Sequence, residues 1–167
     1  MATARLAEER KNFRKDRPFG FSAKPISKAD GSMDMFRWEC VVPGKADTYM
    51  EGGKYPVELT FPADFPSVPP RVKFPPGFLH CNVFDTGDVC LSILKTEMPA
   101  HQRHEKVDTW MPSISVRQIL FSLQELLSNP NFNSYASPVA YNLYRSKGLA
   151  GYEKAMRDQV SKYSAEV

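Results

Sequence analysis

The sequence predicts a single α+β domain over residues 1–167, with an N-terminal helix, a four-stranded antiparallel meander, a long loop and C-terminal helices. Three observations support this. The chain has 167 residues, the length of one domain, and its composition, 42% hydrophobic and 25% charged, is ordinary for a globular protein. One helical pattern comes first, closely spaced β-like runs follow, and two or three helical patterns end the chain. This composition excludes wholesale disorder, a collagen repeat and a coiled coil.

The first element is an amphipathic helix from about Ala2 to Lys15. This stretch contains no glycine or proline, and Leu6 and Phe13 lie two turns apart on one face. Thr3 is the predicted N-cap. Arg17-Pro18 should end the helix, because the residue before a proline avoids the helical region.

Four short β-like runs follow, separated by turn signals. They cover residues 21–26, 33–42, 55–61 and 71–74. Closely spaced strands with short turns predict an antiparallel meander rather than parallel strands joined by crossover helices. Eight of the 14 prolines lie between Pro43 and Pro76. The proline-rich part after the third strand is interleaved with phenylalanines, so we expect it to be irregular and packed on the core.

The last third of the chain is predicted to be helical. Its clearest helix begins at a capping box of Ser115 and Gln118 and ends at Asn129-Pro130. The apolar residues of this helix repeat at helical spacing: Val116, Ile119, Leu120, Leu123, Leu126 and Leu127. Ser137-Pro138 opens a shorter helix to about Tyr144, and Gly148 separates that helix from the last one.

The distribution of charge, the number of cysteines and the lengths of the apolar runs indicate which partners and which cellular compartment to expect. The formal net charge is +3, yet residues 1–28 carry eight Lys or Arg against three acidic residues, which gives +5 for this segment. A basic end attracts an acidic partner, although a solvated helix face has the same pattern. Three cysteines favour a reduced compartment over a disulfide scaffold. No apolar run reaches the length of about 18 residues that a membrane span requires.

The residue types and their spacing allow phosphate binding, metal binding and nucleophilic cysteine chemistry to be compared. The chain has no phosphate-binding glycine loop. His80, Cys81, Cys90, His101 and His104 are candidate metal ligands, but without a Cys-x-x-Cys pair we expect no metal site. His80 could activate Cys90, as in a cysteine protease, if the two side chains meet. Nearby acidic residues disfavour a Cys90 thiolate. Cys90 would therefore suit exchange with an activated thioester better than attack on an amide.

Motifs along nearly the whole chain, from Arg5 to Tyr163, resemble the ubiquitin-conjugating enzyme family. The active-site segment is similar in Phe78-Leu79-His80-Cys81-Asn82-Val83-Phe84 followed by Gly87-Asp88-Val89-Cys90-Leu91-Ser92-Ile93-Leu94. The upstream blocks Pro43-Gly44-Lys45 and Glu51-Gly52-Gly53, the proline-rich block and Trp110-Met111-Pro112 are similar too. The basic N-terminal helix and the Pro43–Gly53 loop resemble the SUMO-conjugating members of the family.

The resemblance implies a fold, an activity and a set of site residues. A SUMO-like modifier would be received from an activating enzyme as a thioester on Cys90 and passed to a substrate lysine. Asn82 would support the oxyanion or the active-site loop, and His80 would support the loop. The implied substrate groove comprises Arg71, Phe84, Asp85, Asp88, Ser134, Tyr135 and Ala136. The implied binding residues for the modifier or the activating enzyme are Arg10, Lys11, Arg14 and Arg17.

Five departures from the family pattern concern the active-site segment and the acceptor side. Cys81 stands in place of a usual proline, and Phe84 in place of a tyrosine. Asp88 occupies a usually small, hydroxylated position, where we predict an ion pair with Arg71. Ser134 replaces a usual aspartate that orients the lysine, followed by Tyr135 in place of a proline. We therefore hypothesise that Asp85 or Asp88 partly takes over the role of the missing carboxylate.

The resemblance also implies partners and a cellular setting. The partners would be a SUMO-like modifier, its activating enzyme, SUMO ligases and lysine-bearing substrates, with no nucleic acid and no membrane. No cofactor is expected, since the activating enzyme uses the ATP, and the implied localisation is the nucleus and the cytoplasm. A polar insertion around residues 95–109 would extend a loop or contact a partner. Two alternatives remain: a ubiquitin-conjugating enzyme, and a catalytically silent binding module on the same fold.

Overall fold

A computed structural model describes residues 1–97 and 109–164 and shows the predicted α+β architecture. The predicted insertion therefore lies mostly outside the described residues. The helices and strands are α1 (Ala2–Lys15), β1 (Ser22–Ser27), β2 (Met33–Pro43), β3 (Lys54–Thr60), β4 (Arg71–Lys73), α2 (Val116–Ser128) and α3 (Pro138–Val160). A short 3-10 turn at Ser92–Leu94 follows the active-site segment.

The four strands form an antiparallel meander in the order β1-β2-β3-β4, which confirms the predicted topology. Alternation along β2 and β3 buries one face, which carries Trp38, Cys40, Val42, Tyr55, Val57 and Leu59. On the opposite face the register aligns one residue from each strand in a charged row: Lys24, Glu39, Glu58 and Lys73. The sheet therefore has one face in the core and one polar face, as the alternation predicts.

Helix α2 has the predicted start, stop and buried stripe. The Ser115 hydroxyl accepts from the Gln118 N–H at 3.1 Å, and the Gln118 side chain accepts from the Ser115 N–H at 2.8 Å. All six predicted stripe residues are buried. The carbonyl oxygen of Leu126 lies in the last turn of this helix, and residue 130, four positions on, is a proline without an N–H. This carbonyl is therefore available to the active-site segment described below.

Of two predicted helix boundaries, the structure contradicts one and confirms the other. Thr3 is not the N-cap of α1: the helix begins at Ala2, so Met1 occupies the cap position and no side chain caps it. The predicted break at Gly148 is confirmed, since this residue has φ 70° and ψ −175° within α3. In the part of the chain that the structure describes, no helix has both the length and the apolar character to cross a membrane.

The proline-rich stretch packs on the core, as predicted. Phe61, Phe65, Phe74 and Phe78 are all buried, and the Phe74 and Phe78 rings stack with their centroids 4.6 Å apart. The Trp110 indole N–H donates to the Pro66 carbonyl at 2.8 Å. These contacts fix the backbone immediately before the active-site segment.

A buried carboxylate joins the first helix to the start of α2. Glu9 is only 6% exposed, accepts from the Arg5 guanidinium at 3.0 Å and accepts from the Val116 N–H at 3.1 Å. Replacing Glu9 with alanine should lower the free energy of unfolding by about 2 kcal/mol, because the buried Val116 N–H loses its acceptor. Urea denaturation measures this change. The exposed neighbour variant Glu8→Ala is the control, and an equal effect of the two substitutions would contradict the prediction.

Candidate active site

The predicted nucleophile lies at the end of a small β-hairpin formed by residues 82–90. The Cys90 N–H donates to the Asn82 carbonyl at 2.8 Å, and the Phe84 N–H donates to the Asp88 carbonyl at 2.9 Å. Val83 and Val89 pair between these two bonds. Gly87 closes the turn with φ 95°, and a Cβ there would lie 2.0 Å from the Phe74 carbonyl oxygen. The turn therefore requires glycine at this position.

Alternation along the hairpin separates two sets of side chains. Val83 and Val89 pack toward the core, so Phe84, Asp88 and Cys90 belong to the other face. Phe84 is 46% exposed, and Cys90 is partly exposed. The hairpin thus places an accessible thiol beside two of the predicted groove residues.

Asn82 ties this hairpin to the loop that follows α2. Its side-chain NH₂ donates to the carbonyls of Asn131 and Ser134, each at 2.9 Å, and its side-chain oxygen accepts from the Asn131 N–H at 2.8 Å. Asn82 is buried, and both hydrogens of its NH₂ group are engaged. Of the two roles predicted for Asn82, this geometry favours support of the loop over direct support of an oxyanion.

His80 is fully buried and is not placed to activate Cys90. Its Nδ1 accepts from the Asn82 N–H at 3.0 Å, and this acceptor role places the ring proton on Nε2. Nε2 then donates to the Leu126 carbonyl at 2.9 Å. Burial lowers the pKa of His80 to about 4, so the ring is neutral at physiological pH. Both ring nitrogens form hydrogen bonds to backbone groups, which fits the predicted role in supporting the loop. His80 therefore cannot pair with Cys90 as the base of a cysteine protease does.

Cys81 is a buried neighbour of the candidate nucleophile. Its N–H donates to the Tyr152 hydroxyl at 3.1 Å, and its carbonyl accepts from the N–H groups of Ala136 and Ser137. Burial and the nearby Cys90 raise the pKa of the Cys81 thiol to about 11. Cys40 is also buried. Cys90 is therefore the one accessible thiol among the described residues.

The predicted ion pair between Arg71 and Asp88 is confirmed. Arg71 Nε donates to one Asp88 oxygen at 2.7 Å, and Arg71 Nη2 donates to the other at 2.9 Å. The Thr86 hydroxyl also donates to Asp88, at 2.7 Å. The Arg71 hydrogen bonds, followed by that from Thr86, lower the pKa of Asp88 to about 2. Asp85 lies at the exposed turn of the hairpin.

The remaining predicted groove residues, 134–136, lie in the loop that Asn82 holds. The Ala136 N–H donates to the Cys81 carbonyl at 2.8 Å, so this loop is anchored on both sides of Tyr135. The Tyr135 ring stacks on Tyr141 with the centroids 4.0 Å apart and remains 51% exposed. Sequence reasoning did not identify Asn131, Tyr141 or Tyr152, whose contacts with the site join positions far apart in the chain.

The basic residues of α1 form a separate surface. Arg10, Lys11 and Arg14 line one shallow concavity together with Ala7 and Lys15. Arg17 follows the end of the helix and is not among these lining residues.

Within residues 1–97 and 109–164, no group of three or more His, Cys, Asp or Glu side chains could hold a metal ion. The candidate ligands His101 and His104 lie outside the described residues.

The α+β fold and the accessible thiol on its hairpin define a class of protein. Comparison with known proteins identifies this class. The family model described as ubiquitin-conjugating enzyme matches residues 5–160, so the chain belongs to the ubiquitin-conjugating enzyme family.

Within that family the chain is similar to proteins named as SUMO-conjugating enzymes, which confirms the predicted resemblance. It is 46% identical to SUMO-conjugating enzyme UBC9 of Caenorhabditis elegans, over 100% of this chain and 94% of that protein. It is 41% identical to Sumo-conjugating enzyme ubc9 of Dictyostelium discoideum, over 98% and 96% of the two chains. It is 42% identical to SUMO-conjugating enzyme SCE1 of Arabidopsis thaliana, over 100% and 98%.

Proposed function

We propose that this protein is a SUMO-conjugating enzyme, a transferase that carries a SUMO-like modifier as a thioester on Cys90. The observation that carries the proposal is the accessible Cys90 thiol on a hairpin anchored by Asn82 and His80. Similarity along nearly the full length of three SUMO-conjugating enzymes supports the choice of modifier.

Two transfers follow from this arrangement. In the first, the Cys90 thiolate attacks the modifier's carboxyl-terminal thioester on the activating enzyme. A new carbon–sulfur bond forms at Cys90, and the thiolate of the activating enzyme leaves. In the second, the neutral amine of an acceptor lysine attacks the same carbonyl carbon and forms an isopeptide bond. The carbon–sulfur bond to Cys90 breaks, the Cys90 thiolate leaves, and the proton lost by the amine passes to that thiolate or to water. Both steps start from an activated acyl group, so Cys90 needs no adjacent base such as His80.

The acceptor lysine would approach along the face of the hairpin that carries Phe84. Phe84 supplies an exposed apolar surface for the lysine stem, and Tyr135 lies on the loop anchored to the same hairpin. Both oxygens of Asp88 are already bonded to Arg71 and Thr86. Of the two carboxylates suggested to replace the missing aspartate, Asp85 is therefore the one we propose to contact the amine.

The partners follow from the basic surface and from the chemistry. The concavity lined by Arg10, Lys11 and Arg14 would bind an acidic face of the modifier or of the activating enzyme, and Arg17, just after the helix, would add a further positive charge. SUMO ligases and lysine-bearing substrates complete the set, without nucleic acid or membrane. We propose no resident cofactor, since ATP is consumed by the activating enzyme. The proposed localisation is the nucleus and the cytoplasm.

A loading assay tests this function. The protein is incubated with ATP and either the SUMO-activating enzyme and SUMO or the ubiquitin-activating enzyme and ubiquitin. We expect a thiol-sensitive adduct with SUMO alone. Loading with ubiquitin alone would establish a ubiquitin-conjugating enzyme instead. If neither modifier forms an adduct while a control conjugating enzyme loads, the chain is a binding module.

The basic surface of α1 gives a second measurable expectation. The triple substitution Arg10→Ala, Lys11→Ala, Arg14→Ala should slow loading about tenfold at low salt, because electrostatic attraction accelerates the encounter of charged partners. The difference should shrink as ionic strength rises. The charge-matched control Arg145→Ala, Lys147→Ala, Lys162→Ala removes three exposed cations near the C-terminus. Equal slowing by both triple variants would contradict a specific role for the α1 surface.

A further inference from the structure

The Arg71–Asp88 ion pair belongs to the same surface as the candidate nucleophile. Arg71 lies on β4, and the hairpin adds to the edge of that strand because Lys73 pairs with Asp88 and the Phe74 N–H donates to the Gly87 carbonyl at 2.8 Å. The hairpin therefore continues the sheet beyond β4. Asp88 precedes Cys90 by two residues, on the same face of the hairpin, which corresponds to about 7 Å along an extended strand.

The ion pair also occupies the part of Arg71 that best binds a carboxylate. Nε and Nη2 form the edge that holds a carboxylate through two parallel hydrogen bonds, and both donate to Asp88. The third hydrogen bond, from Thr86, holds Asp88 in this orientation. A carboxylate of an incoming substrate would have to displace Asp88 from this edge.

Because the ion pair lies close to Cys90, it can contact a residue near the acceptor lysine. An acceptor segment that lies extended along the hairpin directs every second side chain toward it. When its lysine reaches the thioester on Cys90, the side chain two residues from the lysine lies near the ion pair. This position would be attractive for an acidic side chain if the Arg71 guanidinium were unpaired.

We infer that Asp88 is a specificity-determining residue that fills the anion-binding edge of Arg71 from within the chain. The enzyme consequently gives no preference to acceptor lysines with an acidic neighbour: it modifies lysines with neutral or basic neighbours equally readily. This inference rests on the proposed function and names the substrate class of the same site.

Single-turnover transfer tests the inference separately from loading. Enzyme preloaded with SUMO is given peptides that share one lysine and carry Glu, Gln or Lys at a single position within three residues of it. Wild-type rates with the Glu and Gln peptides should agree within about twofold. Asp88→Asn should favour the Glu peptide by about fivefold at one position, the size expected of an exposed ion pair. The double variant Arg71→Gln, Asp88→Asn should lose this preference.

The controls assign the effect to the groove. Asp158→Asn breaks another exposed ion pair, that with Lys154 on α3, and should leave the Glu/Gln ratio at the wild-type value. A wild-type preference for Glu of fivefold or more would overturn the inference, as would an Asp88→Asn variant without any gain or a double variant that keeps it. Failure of the wild-type enzyme to load SUMO would refute the proposed function and, with it, this inference.

Discussion

Replacing Cys90 with serine is expected to abolish the thiol-sensitive adduct and to lower modifier transfer to lysine by at least about a thousandfold. A hydroxyl is far less ionised than a thiol near neutral pH, so it attacks the incoming thioester poorly. Any acyl group that it does capture is held as an oxygen ester, which resists reductant and reacts slowly with amines. Loss of a nucleophile in other enzymes has effects of this size or larger. Gel analysis of the loading reaction, with and without reductant, separates thioester, ester and no adduct.

The other two cysteines provide the matched controls. Cys40 and Cys81 are buried, and burial raises the pKa of the Cys81 thiol to about 11, so neither thiol is placed to accept an acyl group. Cys40→Ala and Cys81→Ala should each retain a reductant-sensitive adduct, although both remove core volume and will lower stability. A reductant-sensitive adduct on Cys90→Ser would show that a different thiol carries the modifier.

The fold was predictable because its signals are local. The buried stripe of α2 repeats at helical spacing, and the capping box that starts the helix spans only Ser115 and Gln118. Strand bounds were predicted within one or two residues for the same reason, since alternation and turn residues are short-range patterns. The wrong N-cap at Thr3 shows the limit of such signals. The helix begins at Ala2 without a side-chain cap, so Thr3, the one capping-type residue near its start, lies inside the first turn.

The site was predictable only in part. The sequence context of Cys90 predicted it as the nucleophile, and the match of Arg71 to a basic groove position of the family, together with the opposite charge of Asp88, suggested their ion pair. The Leu126 partner of the His80 ring and the partners of the Asn82 side chain lie 46 to 52 positions away along the chain, and no periodic pattern links residues at such separations. Only the packing of the active-site segment against α2 and the following loop shows which role Asn82 can take.

Asn82→Ala is expected to have the second largest effect, on stability and on transfer together. The substitution removes three hydrogen bonds and leaves the Asn131 N–H and the carbonyls of Asn131 and Ser134 without their partner. We expect the free energy of unfolding to fall by about 3 kcal/mol, at roughly 1 kcal/mol for each lost bond. The released loop carries Tyr135, so the acceptor side of the groove should loosen. Transfer efficiency, kcat/KM for the acceptor, should then fall about a hundredfold.

The division of this loss between kcat and KM distinguishes the two roles predicted for Asn82. If Asn82 acts by holding the loop, the acceptor KM rises together with the fall in stability, because the groove that binds the acceptor is displaced. If its NH₂ group instead stabilised the oxyanion directly, the loss of efficiency would fall on kcat, and the acceptor KM would stay near the wild-type value. The urea midpoint falls in both cases, because the same three hydrogen bonds are lost. Since both hydrogens of that group already bond to carbonyls, we expect the first pattern. The exposed control Asn142→Ala should change neither parameter, and a pure kcat effect in Asn82→Ala would contradict the loop-support role.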